Sequence, residues 1–179
     1  DIDGEADDDG SGTSVSLSSD GTIVAIGAPR NDGNGNLSGQ LRIYHYNNNT
    51  WTQLGEDIDG EAAGDRSGTS VSLSSDGTRV AHGAHENNGV NGNLSGHVRV
   101  YDYSGSTWVQ VGDDIDGEAS YNYFGRKISL SSDGSRLAIG AYTNDGVNGN
   151  QSGHVRIYDY DGNDWNQVGE DIDGEAADD

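Results

Sequence analysis

The chain has no cysteine and no methionine, and only one proline and one phenylalanine among its 179 residues. Without cysteine there can be no disulfide framework, no thiolate metal site and no thiol nucleophile. No apolar run exceeds a few positions, so the sequence contains neither a hydrophobic membrane span nor the apolar stretch of a signal peptide. Positive charge is scarce too: nine Lys and Arg stand against 31 Asp and Glu, a formal net charge of −22. A field of that sign repels nucleic acid and anionic lipid and argues against them as partners. Cations are its natural complement, although a solvated acidic surface accounts for the same composition. Hydrophobic residues make up 31% of the chain and 29 positions are glycine, too little for one deep core, so burial must be spread through thin layers.

What is present is repetition. Asp-Ile-Asp-Gly-Glu-Ala begins at Asp1, Asp57, Asp114 and Asp171, with offsets of 56, 57 and 57 residues. Between these acidic boxes, Ser-Leu-Ser-Ser-Asp-Gly recurs at Ser16, Ser72 and Ser129, Gly-Ala at Gly27, Gly83 and Gly140, and a lone Trp at Trp51, Trp108 and Trp165. Self-similarity at this period marks a propeller, solenoid or array. The repeats are read as 1–56, 57–113 and 114–170, with 171–179 opening a fourth. Start and finish share one phase and neither end is a divergent polar cap. The expectation is therefore a segment of a longer propeller, half of a two-chain ring, or part of an open stack.

Within one repeat, Val15 and Leu17 alternate with serines in the period-2 pattern of a half-buried strand. Asp-Gly follows, predicting a tight primed hairpin turn. The second strand is predicted at Ile23–Ile26, Arg79–His82 and Arg136–Ile139. A Gly/Asn-rich loop comes next, and its single length change, at Val90 and Val147, explains the shorter first offset. A third strand (Leu41–Tyr44, Val98–Tyr101, Val155–Tyr158) and a fourth that carries the Trp complete the unit. Four short antiparallel strands per repeat, with no helical periodicity anywhere, predict an all-β tandem array of propeller-type blades. The small Ala25, Ala81 and Ala138 suit sheets stacked face to face.

Gly64-Asp65-Arg66-Ser67-Gly68-Thr69-Ser70-Val71-Ser72-Leu73, followed by Gly83-Ala84, resembles the FG-GAP repeat of integrin α-chain propellers and related surface proteins. The other units match in phase, from Ser11-Gly12 to Gly27-Ala28-Pro29 and from Phe124-Gly125 to Gly140-Ala141-Tyr142. The third alone keeps Phe-Gly and the first alone keeps Gly-Ala-Pro. The resemblance implies a β-propeller in an extracellular or cell-surface protein concerned with adhesion or assembly.

Each acidic box carries oxygen donors at its positions 1, 3, 5 and 9: Asp1, Asp3, Glu5, Asp9; Asp57, Asp59, Glu61, Asp65; Asp114, Asp116, Glu118, Asn122; Asp171, Asp173, Glu175, Asp179. Calcium takes six to eight oxygens, and alternating donors on a turning loop can converge on one ion. Integrin-type calcium loops use the same spacing, but between the first two strands of a blade, where this chain has only Ser-Asp-Gly-Thr. The competing reading is a connection whose aspartates cap turns. Asn36, Asn93 and Asn150, with Asn48, begin N-glycosylation triplets, three of them at one repeat position; the same asparagines also serve as turn residues. Trp51, Trp108 and Trp165 read first as packing between blades and, alternatively, as one glycan-stacking pocket per blade. The Arg/Tyr series is read as packing as well, and the histidines form no evident site.

Catalysis normally needs one asymmetric constellation in a cleft, and a nearly symmetric array argues against an enzyme. Two functions are in play: a structural or adhesive repeat protein associating with copies of itself, further repeats or other surface proteins, and a multivalent carbohydrate-binding propeller.

Overall fold

The computed structural model describes residues 1–177. It has fifteen strands and, among the described residues, no helix. The first sheet comprises β1 (Ser14–Leu17), β2 (Ile23–Ala28), β3 (Gln40–Asn47), β4 (Thr50–Gln53) and β5 (Ile58–Asp59). The second comprises β6 (Ser70–Leu73), β7 (Arg79–Ala84), β8 (His97–Tyr103), β9 (Trp108–Gln110) and β10 (Ile115–Asp116). The third comprises β11 (Lys127–Leu130), β12 (Arg136–Ala141), β13 (His154–Tyr160), β14 (Trp165–Gln167) and β15 (Ile172–Asp173). In each sheet four antiparallel strands follow chain order, and a fifth, two-residue strand pairs with the third strand beyond the end of the fourth. That fifth strand is the start of an acidic box: Ile58 pairs with Leu41, Ile115 with Val98 and Ile172 with Val155. The outer edge of each sheet is thus built in two pieces.

The hairpin between the first two strands differs from the primed turn expected of Asp-Gly. Only the glycines are left-handed, Gly21 at φ 73°, Gly77 at 71° and Gly134 at 71°. The aspartate closes the turn with its side chain instead. Asp20 Oδ1 accepts from Ser18 Oγ at 2.7 Å, Thr22 N at 2.9 Å and Thr22 Oγ1 at 2.8 Å, and the Asp76 and Asp133 turns repeat the pattern. These donors hold the Asp20 and Asp133 carboxyls down to about 2. The Asx-type closure explains why Ser-Ser-Asp-Gly recurs with Thr or Ser after it.

The sheets stack in sequence with the first strands innermost. Ser16 Oγ accepts from Leu73 N at 3.0 Å and Ser72 Oγ from Leu130 N at 2.9 Å, so the serines of Val-Ser-Leu tie each inner strand to the next. Ser19 N donates to Ser75 O and Ser75 N to Ser132 O, each at 2.8 Å, continuing the connection through the hairpins. Two apolar layers lie between the sheets. The first holds Ala25, Leu41, Ile43, Ile58, Val71, Leu73 and Val80; the second is centred on Phe124, Leu137, Ile139, Tyr158 and Trp165. Thin layers between stacked sheets are what a glycine-rich chain with few large apolar side chains can fill.

Gly27 and Gly83 permit this stacking. A Cβ on Gly27 would run into the Gly68 carbonyl, and one on Gly83 into the Gly125 carbonyl. Ser14 Oγ and Ser70 Oγ donate to those same two carbonyls, at 2.7 and 2.6 Å. The sheets meet backbone to backbone at these points.

Candidate functional site

The acidic boxes are held by the loop that precedes them. Gly60 N donates to Gly39 O, Gly117 N to Gly96 O and Gly174 N to Gly153 O, at 2.8, 2.8 and 2.9 Å. The amides of Asn34, Asn91 and Asn148 donate to the carbonyls of Gly60, Gly117 and Gly174 at 2.9, 2.8 and 2.8 Å. A Cβ at any of these three glycines would strike the carbonyl of Ser38, Ser95 or Ser152. Close backbone approach, with Ile58 and Ile115 buried, therefore accounts for Asp-Ile-Asp-Gly in the boxes that sit between sheets.

The donors at positions 1, 3, 5 and 9 divide among different partners. At position 9, Asp9 and Asp65 are buried; each accepts from an Asn amide, Asn31 or Asn87, at 3.0 Å, and from the backbone N of Ala6 or Ala62. Asn122 is buried in the third box and its Nδ2 has no partner among the described residues. Position 5 of one box instead meets position 1 of the next, across an arginine of the intervening sheet. Arg99 makes a two-pronged bond to Asp114, at 2.9 and 3.1 Å, and also pairs with Glu61. Arg156 does the same with Asp171, at 2.8 Å on both prongs, and Glu118. Asp1, Glu175 and the side chain of Asp3 are exposed, and the Asp3 carbonyl accepts from Arg42 Nη2 at 2.9 Å. Asp116 and Asp173 lie on the fifth strands. Asp179 lies outside the described residues.

A histidine sits behind each of these two clusters. His97 Nδ1 lies 3.8 Å from both Glu61 and Asp114, and His154 Nδ1 lies 3.6 Å from Asp171. Burial depresses both imidazoles against the pull of the nearby carboxylates. The two triads, Glu61–His97–Asp114 and Glu118–His154–Asp171, have the spacing of metal donors. The guanidinium already supplies the countercharge in each. Burial opposes ionisation of Asp114, but the bonds from Arg99 outweigh it and hold that carboxyl below its ordinary range. Asp171 is held down chiefly by Arg156.

The first repeat is built differently. Gln40 replaces histidine, and its Nε2 donates to Glu5 at 3.1 Å, Asp57 at 3.0 Å and Asp59 at 3.4 Å. Arg42 reaches Glu5 only at 3.7 Å and has no bond to Asp57. Burial raises Asp59, and the charges of Asp57 and Glu5 add to it. Three carboxylates thus gather on one Gln amide in place of a two-pronged guanidinium clamp, but they are not among the groups of described residues whose ligand atoms converge at metal-donor spacing. The clamped sets of the other two repeats, with a nitrogen donor and a resident cation, fit calcium poorly.

The arginine and the Gln/His position belong to the acidic sites, though the sequence reads as packing there. The usable signal is their register: Gln40, His97 and His154 each stand two residues before the Arg on the same face of the third strand, beside the fifth strand.

Trp108 and Trp165 join neighbouring sheets: their indole N–H groups donate to Leu54 O at 2.7 Å and Val111 O at 3.1 Å. Trp51 is half-buried against Tyr46, with ring centroids 5.0 Å apart. Asn36, Asn48, Asn93 and Asn150 are all exposed. In the three loop triplets the left-handed residue is the middle one, Leu37, Leu94 or Gln151.

The outward face of the third sheet is an apolar cleft of about 490 Å³ lined by Gly140, Tyr142, His154, Val155 and Ile172. Ile172 is 60% exposed, where its equivalents Ile58 and Ile115 are each 6% exposed. A Cβ on Gly140 would meet only Lys127 at ordinary contact distance. Ser152 Oγ and His154 Nε2 are buried there without a partner among the described residues. On the opposite face of the stack, Val15 and Leu17 are 63% and 59% exposed, against 9% and 7% for Val71 and Leu73.

Fold and surface together define a tandem array of propeller-type blades. A family model for the FG-GAP repeat matches residues 115–158, from β10 at the edge of the second sheet into β13 of the third. Comparison with curated proteins gives no match. Among solved structures, the chain is similar to Kuenenia stuttgartiensis hydrazine synthase, with TM-score 0.56 and 11% identity over 98% of this chain and 40% of that one. It is also similar to a Bacteroides uniformis protein assigned as a 6-phosphogluconolactonase, with TM-score 0.54 and 14% identity over 89% and 39%. The chain spans about two-fifths of each of these proteins. At such identity the likeness concerns the fold alone.

Proposed function

We propose that this is a non-enzymatic structural or adhesive repeat protein of the extracellular space or cell surface, assembling by stacking its blades against those of a second copy or of further repeats. One observation carries the reading: the two outward faces of the stack are the two halves of a junction made twice inside the chain. The third sheet presents Gly140, Val155 and Ile172, equivalents of the residues that receive the next sheet at Gly27 and Gly83. The first sheet presents Val15 and Leu17, equivalents of the residues that fill such a face. Exposed apolar surface of this kind marks an interaction site. Head-to-tail contact of unlike faces closes a ring or propagates a fibre.

Sedimentation equilibrium tests this. The chain should associate with rising concentration, while Gly140→Leu, a bulkier residue on an open face, should stay monomeric with an unchanged melting temperature. A wild-type chain that remains monomeric, or a Gly140→Leu chain that still associates, overturns the proposal.

Two finer features belong to the same reading. Calcium would be held by carboxylates of the acidic boxes, and should raise the melting temperature over a chelated sample by binding the folded state preferentially. The exposed triplets at Asn36, Asn48, Asn93 and Asn150 would carry glycans in a secretory eukaryotic host, visible as a mass loss on glycosidase treatment. The multivalent lectin reading is less well supported, since Trp108 and Trp165 are engaged between sheets.

A further inference from the structure

Six of the nine cationic side chains are matched to carboxylates of their own or a neighbouring repeat: Arg42, Arg66, Arg79, Arg99, Arg136 and Arg156. Arg66 and the remaining three, Arg30, Arg126 and Lys127, form a group of their own. All lie at one end of the sheets, just after a second strand, in the loop that leads into a first strand, or at its first residue. Antiparallel pairing of first and second strands brings those positions together. Three of them, Arg30, Arg66 and Arg126, line one cleft of about 340 Å³ with Thr13, Thr69 and His85, so all three repeats contribute to it.

Three guanidinium groups there face one carboxylate, Glu86, which lies 2.8 Å from Arg66. Asp9 and Asp65, beside Gly10 and Arg66 of the cleft, are buried on Asn31 and Asn87, and Asp32, two positions after Arg30, accepts from Leu37 N at 2.8 Å. Arg30 and Arg126 have no carboxylate partner among the described residues. Arg126 Nη1 donates to His85 Nε2 at 3.0 Å, which leaves the His85 proton on Nδ1. That nitrogen is buried and has no partner among the described residues. Beside the cleft the third repeat alone adds aromatic side chains. Tyr123 contacts His85 and Tyr142, each with ring centroids 6.0 Å apart, and the Arg126 guanidinium lies 5.4 Å from the Tyr142 ring centroid. Tyr121 and Tyr142 remain more than half exposed.

We infer that this cleft binds a glycan through a single carboxylate-bearing sugar. The uncompensated guanidinium groups suit a carboxylate, which accepts paired N–H donors. Tyrosine rings and threonine hydroxyls suit the apolar face and hydroxyls of a pyranose. The net charge of −22 selects further: a polyanion is repelled by the rest of the surface, whereas a ligand whose charge is confined to the cleft is not. This site differs from the three Trp positions. It is single, and it exists only because three repeats meet.

The test is an NMR titration of the full chain with methyl glucuronoside, methyl glucoside and N-acetylglycine. The glucuronoside should bind, perturbing the His85 and Tyr142 signals, and the neutral glucoside should bind at least about tenfold more weakly, as loss of a charge-assisted pair requires. Arg30→Gln and Arg126→Gln should each weaken glucuronoside binding about tenfold, and Glu86→Gln should strengthen it. Arg30 is exposed and makes no side-chain bond, so its variant tests binding without a folding defect. Equal binding of the neutral sugar, an unchanged Arg30→Gln chain, or N-acetylglycine binding as tightly as the glucuronoside would overturn the inference, the last in favour of a peptide carboxylate.

Discussion

The two junctions between sheets share one backbone plan and differ at their centres. In the first, Ser67 and the buried His82 are paired at 2.9 Å, and the imidazole stacks on Tyr101 at 5.6 Å. In the second, the equivalent positions are Phe124 and Ile139, both fully buried, and Phe124 meets Tyr158 edge-on at 6.4 Å. The second junction buries more apolar side chains than the first. Around both centres the serine ties, the glycine approach and the indole bonds are the same. The plan is therefore set by backbone contact, and the central pair of side chains tunes how strongly and under what conditions each junction holds.

The largest expected break is Phe124→Ala, which empties the centre of the second junction and should cost about 3–5 kcal/mol in urea unfolding. Ser67→Ala at the matching position should cost only about 1–3 kcal/mol, through a buried imidazole left unpaired. Equal losses at the two sites would mean that the centres do not set the strength.

Acid should next separate the junctions. Burial pushes His82 down to about 3 and His85 down to about 4. Both imidazoles are neutral in the folded chain and take up a proton near pH 6.5 once unfolded. Their contribution is therefore complete above about pH 6.5 and is lost as pH falls towards those folded values. At pH 5 His82 alone should lower stability by about 2 kcal/mol, from 1.36 kcal/mol per unit. His82→Ile, the residue of the sister repeats at Ile26 and Ile139, should flatten the profile between pH 7 and 5. An undiminished slope in that variant would acquit the first junction. Below about pH 4 a second loss is expected as Asp114 and Asp171, depressed by their arginines, are protonated.

Gly83→Ala should cost about 1–3 kcal/mol, because its methyl meets the Gly125 carbonyl, whereas Gly140→Ala should fall within about 0.5 kcal/mol of wild type. Thermal melts of the two variants compare a filled junction with an open face. The smallest contrast is Arg79→Ala against Arg136→Ala. Arg79 bonds Asp102 and Gly134 O and lies 4.5 Å from the Tyr160 ring centroid, bridging two sheets, while Arg136 holds only the exposed Asp159. The first should lower the melting temperature measurably and the second should leave it unchanged.

The repeat itself, its strands and the all-β class are legible in the sequence, because period-2 alternation and turn residues act locally and recur three times. Hairpin closure is half legible: Asp-Gly marks the turn, but whether aspartate supplies a left-handed φ or a side-chain acceptor depends on neighbouring Ser and Thr. The acidic boxes show the limit. Their spacing suggests four donors on one loop, yet β5, β10 and β15 lay the box along the preceding sheet, so Glu61 meets Asp114, 53 positions away, over Arg99. Sequence by itself determined which segments are strands and that one unit is copied, since these follow from side-chain period and backbone preference. Only tertiary structure decided which carboxylates share an arginine, which glycines touch a neighbouring carbonyl and where the unmatched cations gather, because each of these depends on contacts between residues roughly one repeat apart in a stack that no local pattern encodes.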